Sequence, residues 1–336
     1  MTAPSPTTSP PDPSRDARAG VVVARCRVCG STDCINCGPP AYRRPTRVAG
    51  VDIDVTDLPL THQLCRSCTY RFVDPVIPEQ RLLDCYRRAP QHHWGTEPEL
   101  AENRFYARKR ELLEQFAPGR RVLDFGCYDG GFLQYLGASW DAAGIEPSED
   151  AARVAQSRGI RILGPTVESI DPDAVEPFDA VVVFDVIEHL NEPVETLRAL
   201  ARLLRPGGIM LIETGDTDSP HFARTGKLDP YCGLVEHVGF FNRRSMAEAG
   251  RRAAGLELAH FERSIHSQYG RGVLVPLGAA VFRAYNAAYR VLRAARAMRV
   301  PLPRRARDVA AGPCPRSTDA RNHFLAVLRK PAQAGG

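Results

Sequence analysis

Three pairs of cysteines, each separated by two residues, crowd the first fifth of the 336-residue chain: Cys26/Cys29, Cys34/Cys37 and Cys65/Cys68. Two intervening residues let both thiolates reach one tetrahedral ion at about 2.3 Å. The tetrad Cys26, Cys29, Cys65 and Cys68 suits a structural Zn2+ ion best. Gly30 follows the first pair and allows a tight turn, while the second pair closes the stretch THQLC and opens TYRFVD. Four residues between Cys29 and Cys34 are too few for those two pairs to share an ion comfortably. A site built from Cys34/Cys37 and Cys65/Cys68 stays open, as does a set of reduced, metal-free cysteines. A closed four-sulfur site is structural, not catalytic, and a module with so little core folds only with its metal.

A second group of residues points to chemistry on a ligand. In VLDFGCYDGGFL, residues 122–133, an acidic residue and several glycines follow an apolar run. A dinucleotide site wants G-x-G-x-x-G, so that the backbone can approach a pyrophosphate. Counted from Gly126, this chain offers Gly126, Tyr128 and Gly131, with a ring where a phosphate would sit. Asp124 would repel a phosphate and suits a cation or a hydroxyl instead. Two acid–base candidates lie further on, Glu188-His189 and Glu236-His237. His237 reads as a general base or substrate contact with Glu236 beside it, and His189 as a base or a shield of the ligand. Tyr128, Tyr231 and Phe240 are candidates to wall an acceptor pocket.

These residues need a frame that brings them together. From residue 121, apolar runs alternate with amphipathic stretches: RVLDFG, DAAGIE, RIL, FDAVVVFD and GIMLIET read as strands. Helices follow the first, second and fourth, with Ser148 capping the second and Pro206-Gly207 ending the third. LELAHFERSIH reads as a sixth strand and NHFLAVLRK as an antiparallel seventh. The alternation predicts an α/β fold with a mostly parallel sheet covered on both faces. Its ligands bind beyond the carboxyl ends of the strands, which is where most of the singled-out residues fall. Ahead of the sheet, VAGVDIDV reads as an additional strand of a small ribbon, and ELAENRFYARKRELLEQF as a helix linking the two parts.

VLDFGCYDGGFL, FDAVVVFDVIEHL and LLRPGG together resemble the class I S-adenosylmethionine-dependent methyltransferases. The resemblance covers roughly residues 120–265 and the final strand. It implies a Rossmann-like sheet of seven strands, the last antiparallel, and S-adenosylmethionine as cofactor. Carried onto this chain, Gly126 and Gly130 bring backbone near the cofactor's methionine part, and Asp124 and Asp129 anchor its amino group or nearby water. Glu146, 20 residues beyond Gly126, accepts from the ribose hydroxyls. Thr166 and Val167 lie near adenine, and Phe184 and Asp185 beside the transferred methyl. The cysteine pairs are similar to those of ribbon-bearing methyltransferases of sugar and natural-product pathways. DPYCGLVEHVGFFN resembles the Tyr-His-Glu-His segment of sugar C-methyltransferases, but Leu234 and Val235 replace its first two members. O- and C-methylation of a small-molecule or sugar/glycan intermediate therefore both stay open. An RNA-modifying methyltransferase and an inactive scaffold of the same fold are the alternatives.

Composition bounds the partners. The net charge is +5, from 44 basic and 39 acidic residues, which is weak support for nucleic-acid binding. No apolar run approaches the roughly 20 residues that cross a bilayer. The N-terminus, MTAPSPTTSPPDPSRDARAG, has no apolar core for a signal peptide, so a cytoplasmic protein is expected. Between Arg271 and Arg307 there are nine arginines and no acidic residue. A basic amphipathic helix there, over 277–299, either packs on the core, grips an anionic substrate or lies on an anionic membrane surface. The expected layout is a disordered tail (1–20), a zinc ribbon (21–90), a helical linker (91–120), a methyltransferase core (121–270 and 315–331) and the basic insertion (271–314).

Overall fold

The structure, a computed structural model, describes residues 24–89, 104–264, 287–288, 291–311 and 322–332. The expected N-terminal tail and much of the basic insertion lie outside them. Within the insertion, residues 291–297 and Arg304–Ala311 are helical, and Val291, Met298 and Val300 are exposed. Among the described residues no helix is long and apolar enough to cross a membrane.

The N-terminal part is a small sheet. Strand β1 (Cys34–Asn36) pairs antiparallel with β4 (Thr61–Cys65), and β4 with β5 (Arg71–Asp74). VAGVDIDV is not one strand. Ala49 and Gly50 both take positive φ, 48° and 81°, which reverses the chain in a two-residue turn. The result is a hairpin of β2 (Arg47–Val48) and β3 (Val51–Asp52). Helix α1 (Glu79–Arg87) follows and buries Leu82 and Cys85.

Helix α2 (Arg104–Phe116) is no free linker. Leu112 and Leu113 are fully buried among sheet residues, so the helix is a covering layer of the main domain. Its Lys109 is 6 % exposed and pairs with Glu213 across the layer. The ammonium also lies 4.1 Å from the centre of the Phe184 ring. Lys227 and Lys330, the other two lysines, each donate to two backbone carbonyls.

Next come β6 (Arg121–Phe125), α3 (Gly131–Leu136), β7 (Asp141–Ile145), α4 (Glu149–Ser157), β8 (Arg161–Gly164), β9 (Phe178–Phe184) and α5 (Pro193–Leu203). Ser148 caps α4 by accepting from the Ala151 amide. Helix α5 stops at Leu203, before the expected Pro206-Gly207, because Pro206 biases Arg205 to extended backbone. Strand β10 thus starts early and runs Leu204–Gly215. Then follow α6 (Phe222–Thr225), β11 (Gly239–Phe240), α7 (Arg243–Ala254), β12 (Glu257–Ser264) and β13 (His323–Arg329).

Seven of these strands form one sheet in the order β12-β13-β10-β9-β6-β7-β8. Strands β6 to β10 are parallel neighbours, while β13 runs antiparallel to both β10 and β12. This is the sheet that the motifs imply. Apolar residues alternate along the strands and part to opposite faces. Val122, Val182, Leu211 and Val327 pack with α2 and α3 on one side. Leu123, Val183, Ile212 and Phe324 pack with α5 and α7 on the other. The second core also takes in Cys26, Cys65, Cys68, Tyr70 and Phe72, so the ribbon is fused to the main domain.

That fusion extends to the backbone. Strand β11, from the main domain, pairs with β5 and completes the ribbon sheet. The Val73 amide donates to the Val238 carbonyl at 2.9 Å, and the Val238 amide donates to the Glu188 carbonyl at 2.8 Å.

Candidate functional site

Two knuckles form the candidate metal centre. The Gly30 amide returns to the Cys26 carbonyl at 2.8 Å, with Gly30 at φ 76°. The Thr69 amide returns to the Cys65 carbonyl at 3.0 Å, with Thr69 at φ 64°. The sequence signals the first turn by its glycine but hides the second. The Sγ atoms of Cys26, Cys29, Cys65 and Cys68 all lie within 4.8 Å of one another. Cys26 to Cys68 and Cys29 to Cys65 are each 3.5 Å. A tetrahedral ion with bonds of about 2.3 Å asks for sulfurs about 3.8 Å apart, so the four thiols fit zinc closely. Cys34 and Cys37 stay outside this set, their Sγ atoms facing the Ser31 and Ile35 carbonyls.

The second site is a cavity of about 1030 Å³ at the carboxyl ends of the parallel strands. Of the residues singled out for cofactor binding, Gly126, Glu146, Thr166, Phe184 and Asp185 line it. Glu146 ends β7 and is 8 % exposed. Its Oε2 accepts from the Tyr128 amide at 2.7 Å and its Oε1 from the Ser148 amide at 2.8 Å. Each oxygen keeps a lone pair for a ligand, and the two amides fix where the carboxylate points. Burial pushes its pKa up to about 7, against the pull of those amides.

Asp124, Asp129, Gly130 and Val167 are not part of the lining. Asp124 is buried inside β6, where desolvation raises it to about 7 and Lys109 pulls the other way. The Asp129 carboxylate is 2.7 Å from Arg158 and accepts from the Gly131 amide at 3.0 Å, tying the turn together. Gly130 has φ 75°, and a Cβ there would stand 2.9 Å from Ile160 and 3.2 Å from Ala155. Its missing side chain lets α4 approach the turn. Val167 is buried in the core.

Gly126 does face the cavity, at φ 81° with Val186 too close for any Cβ. Tyr128 also lines it and holds φ 49°, a conformation that costs a non-glycine residue about 1–2 kcal/mol. Its amide, not its ring, orients Glu146. Tyr128→Gly is therefore expected to keep S-adenosylhomocysteine affinity while raising or preserving the melting temperature. Calorimetric titration and thermal melts check both, and lost binding would give the ring a ligand role.

His189, Glu236 and His237 come together at the other end of the cavity. His237 Nδ1 lies 2.8 Å from the Tyr231 carbonyl, and its ring packs on Tyr231 with centroids 4.2 Å apart. His189 Nδ1 lies 2.8 Å from the Tyr86 hydroxyl and 3.2 Å from the Glu236 carbonyl. The two imidazoles meet edge to face at 4.9 Å. Burial lowers both, His189 to about 4 and His237 well below its ordinary value. Glu188 is 1 % exposed and raised by burial, with Asp185 adding to the effect. The Thr214 hydroxyl donates to Glu188 at 2.8 Å. The Tyr231 hydroxyl sits 2.8 Å from that of Thr214 and accepts from the Gly215 amide. A Cβ at Gly215 would stand 2.5 Å from the Tyr231 ring, so only glycine admits it. Phe240, a candidate for the wall, lies in β11 and is buried in the ribbon-side core.

Sequence reasoning missed Tyr86 and His323. Both line the cavity, and His323 Nε2 is 3.7 Å from Asp185. A signal for His323 was present. In an antiparallel final strand the first residue lies at the carboxyl edge of the parallel ones, and His323 pairs with Gly215 at the end of β10. Nothing in the sequence marks Tyr86, which reaches the site from α1.

Residues 100–260 match the family profile described as a methyltransferase domain. The chain is 36% identical over 104 residues to a ubiquinone biosynthesis O-methyltransferase of Caulobacter sp. (strain K31), spanning 29% of this chain and 41% of the relative. It is 34% identical over 155 residues to the protein of the same description from Xanthomonas campestris pv. campestris (strain B100), spanning 43% and 64%. The chain thus spans less than two thirds of these relatives' length. A solved SAM-dependent methyltransferase from Archaeoglobus fulgidus is 16% identical, with 67% of this chain and 93% of that one covered and a TM-score of 0.41. An O-methyltransferase family protein from Burkholderia thailandensis is 15% identical, with 76% and 61% covered and a TM-score of 0.41. The ribbon, residues 24–89, precedes the matched segment. Residues 100–260 therefore carry a methyltransferase domain, in keeping with the sequence motifs and the seven-stranded sheet.

Proposed function

We propose that this protein transfers a methyl group from S-adenosylmethionine to a hydroxyl of a small-molecule acceptor, a sugar or natural-product intermediate as the resemblance of its motifs implies. The observation that carries the reading is one cavity with two chemically distinct ends. Glu146 stands at one end with its carboxylate fixed by two amides, and His189 and His237 stand at the other. The donor set suits the cofactor: a buried carboxylate for a diol, aromatic and glycine surfaces at Phe125, Gly126 and Tyr128, and no glycine cradle for phosphate. Transfer to oxygen follows the O-methyltransferase description of the relatives.

When bound, S-adenosylmethionine supplies a methyl already activated by its sulfonium. The chain has to align acceptor and methyl in line and keep water out. Glu146 would hold the ribose hydroxyls, with Thr166 toward adenine and Phe184 and Asp185 near the methyl. His237 has its Nδ1 at a carbonyl, which fixes the proton there and leaves a lone pair on Nε2 for the acceptor's hydroxyl. The four ribbon cysteines would hold a structural Zn2+.

Removing the Glu146 carboxylate deletes charge-assisted bonds worth about 1.5–3 kcal/mol. Glu146→Ala is expected to weaken S-adenosylhomocysteine binding roughly ten- to a hundredfold in calorimetric titration. Folded wild-type protein that shows no binding would overturn the cofactor assignment.

A further inference from the structure

Residues 291–307, in the basic insertion, carry a surface that the cavity does not use. Arg293, Arg296, Arg299, Arg304, Arg305 and Arg307 fall in this stretch, and no acidic residue does. We propose that the segment docks on an anionic lipid bilayer, with its apolar side chains at the acyl boundary and its guanidinium groups among the phosphates.

Three observations carry it. The first is apolar exposure. Val291, Met298 and Val300 are 67, 70 and 47 % exposed, more than any other large apolar side chain among the described residues. A single exposed apolar residue is ordinary, but a cluster of them marks a surface that a partner covers. Residues 291–297 are helical, and positions seven apart share a helix face. Val291 and Met298 therefore align, with Ala294 and Ala295 beside them, while Arg293 and Arg296 point around the other side. Arg299 then takes φ 59°, and the Val300 amide returns to the Ala295 carbonyl at 2.9 Å. That closing turn folds Val300 back toward the apolar face.

The second observation is charge. Exposed arginines elsewhere have acidic partners: Arg153 pairs with Asp150, and Arg251 with Glu248. None of the six in this segment has one among the described residues, and all but Arg293 are exposed. Unpaired cations beside an apolar face match a bilayer, which sets anionic phosphates above hydrocarbon. The third is what the segment lacks. There is no aromatic residue from Val291 to Arg307, so single-stranded nucleic acid would find no stacking platform and would leave the apolar face in water. A second copy of this chain would set like charges against each other.

The placement suits a docking element. The insertion leaves the main sheet after Ser264 and returns at His323, two residues that pair across β12 and β13. His323 also pairs with Gly215 at the end of β10 and lines the cavity. The basic segment is thus tethered at both ends to the edge of the sheet that carries the cavity.

The test is co-sedimentation of full-length protein with vesicles of equal parts phosphatidylglycerol and phosphatidylcholine. Binding is expected there and not to phosphatidylcholine alone, and it should weaken as salt screens the charges. The triple variant Arg296→Gln/Arg299→Gln/Arg305→Gln should lose roughly tenfold or more, since each cation near the surface contributes about fivefold. The double variant Val291→Ser/Met298→Ser should lose roughly tenfold through its apolar contacts. Arg153→Gln, exposed on α4, should bind as wild type. The substituted side chains are exposed, so melting temperatures should match wild type in every variant. No binding to the mixed vesicles, or binding that neither variant weakens, overturns the proposal. So does a loss confined to the arginine variant, which would mean adsorption by charge without apolar contact. Binding to an RNA oligonucleotide in place of the vesicles would assign the surface to nucleic acid and overturn it too.

Discussion

His237→Ala is expected to lower kcat by roughly 10²- to 10⁴-fold, the range of a lost general base, while S-adenosylhomocysteine affinity stays unchanged. The imidazole is 6 % exposed, anchored at Nδ1 and packed on Tyr231. Burial keeps it neutral at neutral pH, so its second nitrogen carries a lone pair throughout that range. Alanine removes that pair and leaves Glu146 at the far end untouched. His237→Gln keeps most of the volume and serves as the packing control, with the same loss expected. Initial rates with S-adenosylmethionine and a hydroxylated acceptor measure it. Wild-type turnover in His237→Ala would remove the residue from the chemistry.

Removing the zinc proposed for the ribbon is expected to be the other large effect. Cys65→Ser, or a chelator acting on wild type, is expected to lower the melting temperature by roughly 10 °C or more and to abolish methyl transfer. Structural zinc contributes about 10–16 kcal/mol of apparent binding energy in small ribbons, and a domain of this size shifts by about 2–4 °C per kcal/mol. Cys65 is fully buried and sits in the core that also holds α5 and α7. Elemental analysis should give zinc in wild type and its loss in Cys65→Ser. An unchanged melt with no zinc would mean that hydrogen-bonded thiols suffice.

Periodicity carried most of the fold. The strands were legible because the central ones place apolar residues on both faces, and the turns between them carry glycine, proline or a capping serine. VAGVDIDV defeated that reading because two adjacent positive-φ residues, one of them alanine, make a turn that composition does not mark. Helix α2 read as a connector because its charges are abundant; Arg108 and Lys109 in fact reach across to Glu262 and Glu213.

The site was legible where it follows a strand and obscure where tertiary contact decides. Glu146, Gly126, Phe184 and Asp185 end or follow strands and reach the cavity. Asp129 and Gly130 share the same motif but are consumed by Arg158 and α4. Tyr86 comes from a helix that only the folded chain brings near His189.

The two backbone hydrogen bonds, from the Val73 amide to Val238 and from the Val238 amide to Glu188, set the unit of exchange for chimeras. A recombinant joint placed between the ribbon and the matched domain would graft a foreign edge strand beside His237. Only a donor segment that carries residues 234–241 together with its own ribbon keeps that seam native, so the two halves of this chain have to be exchanged as a pair.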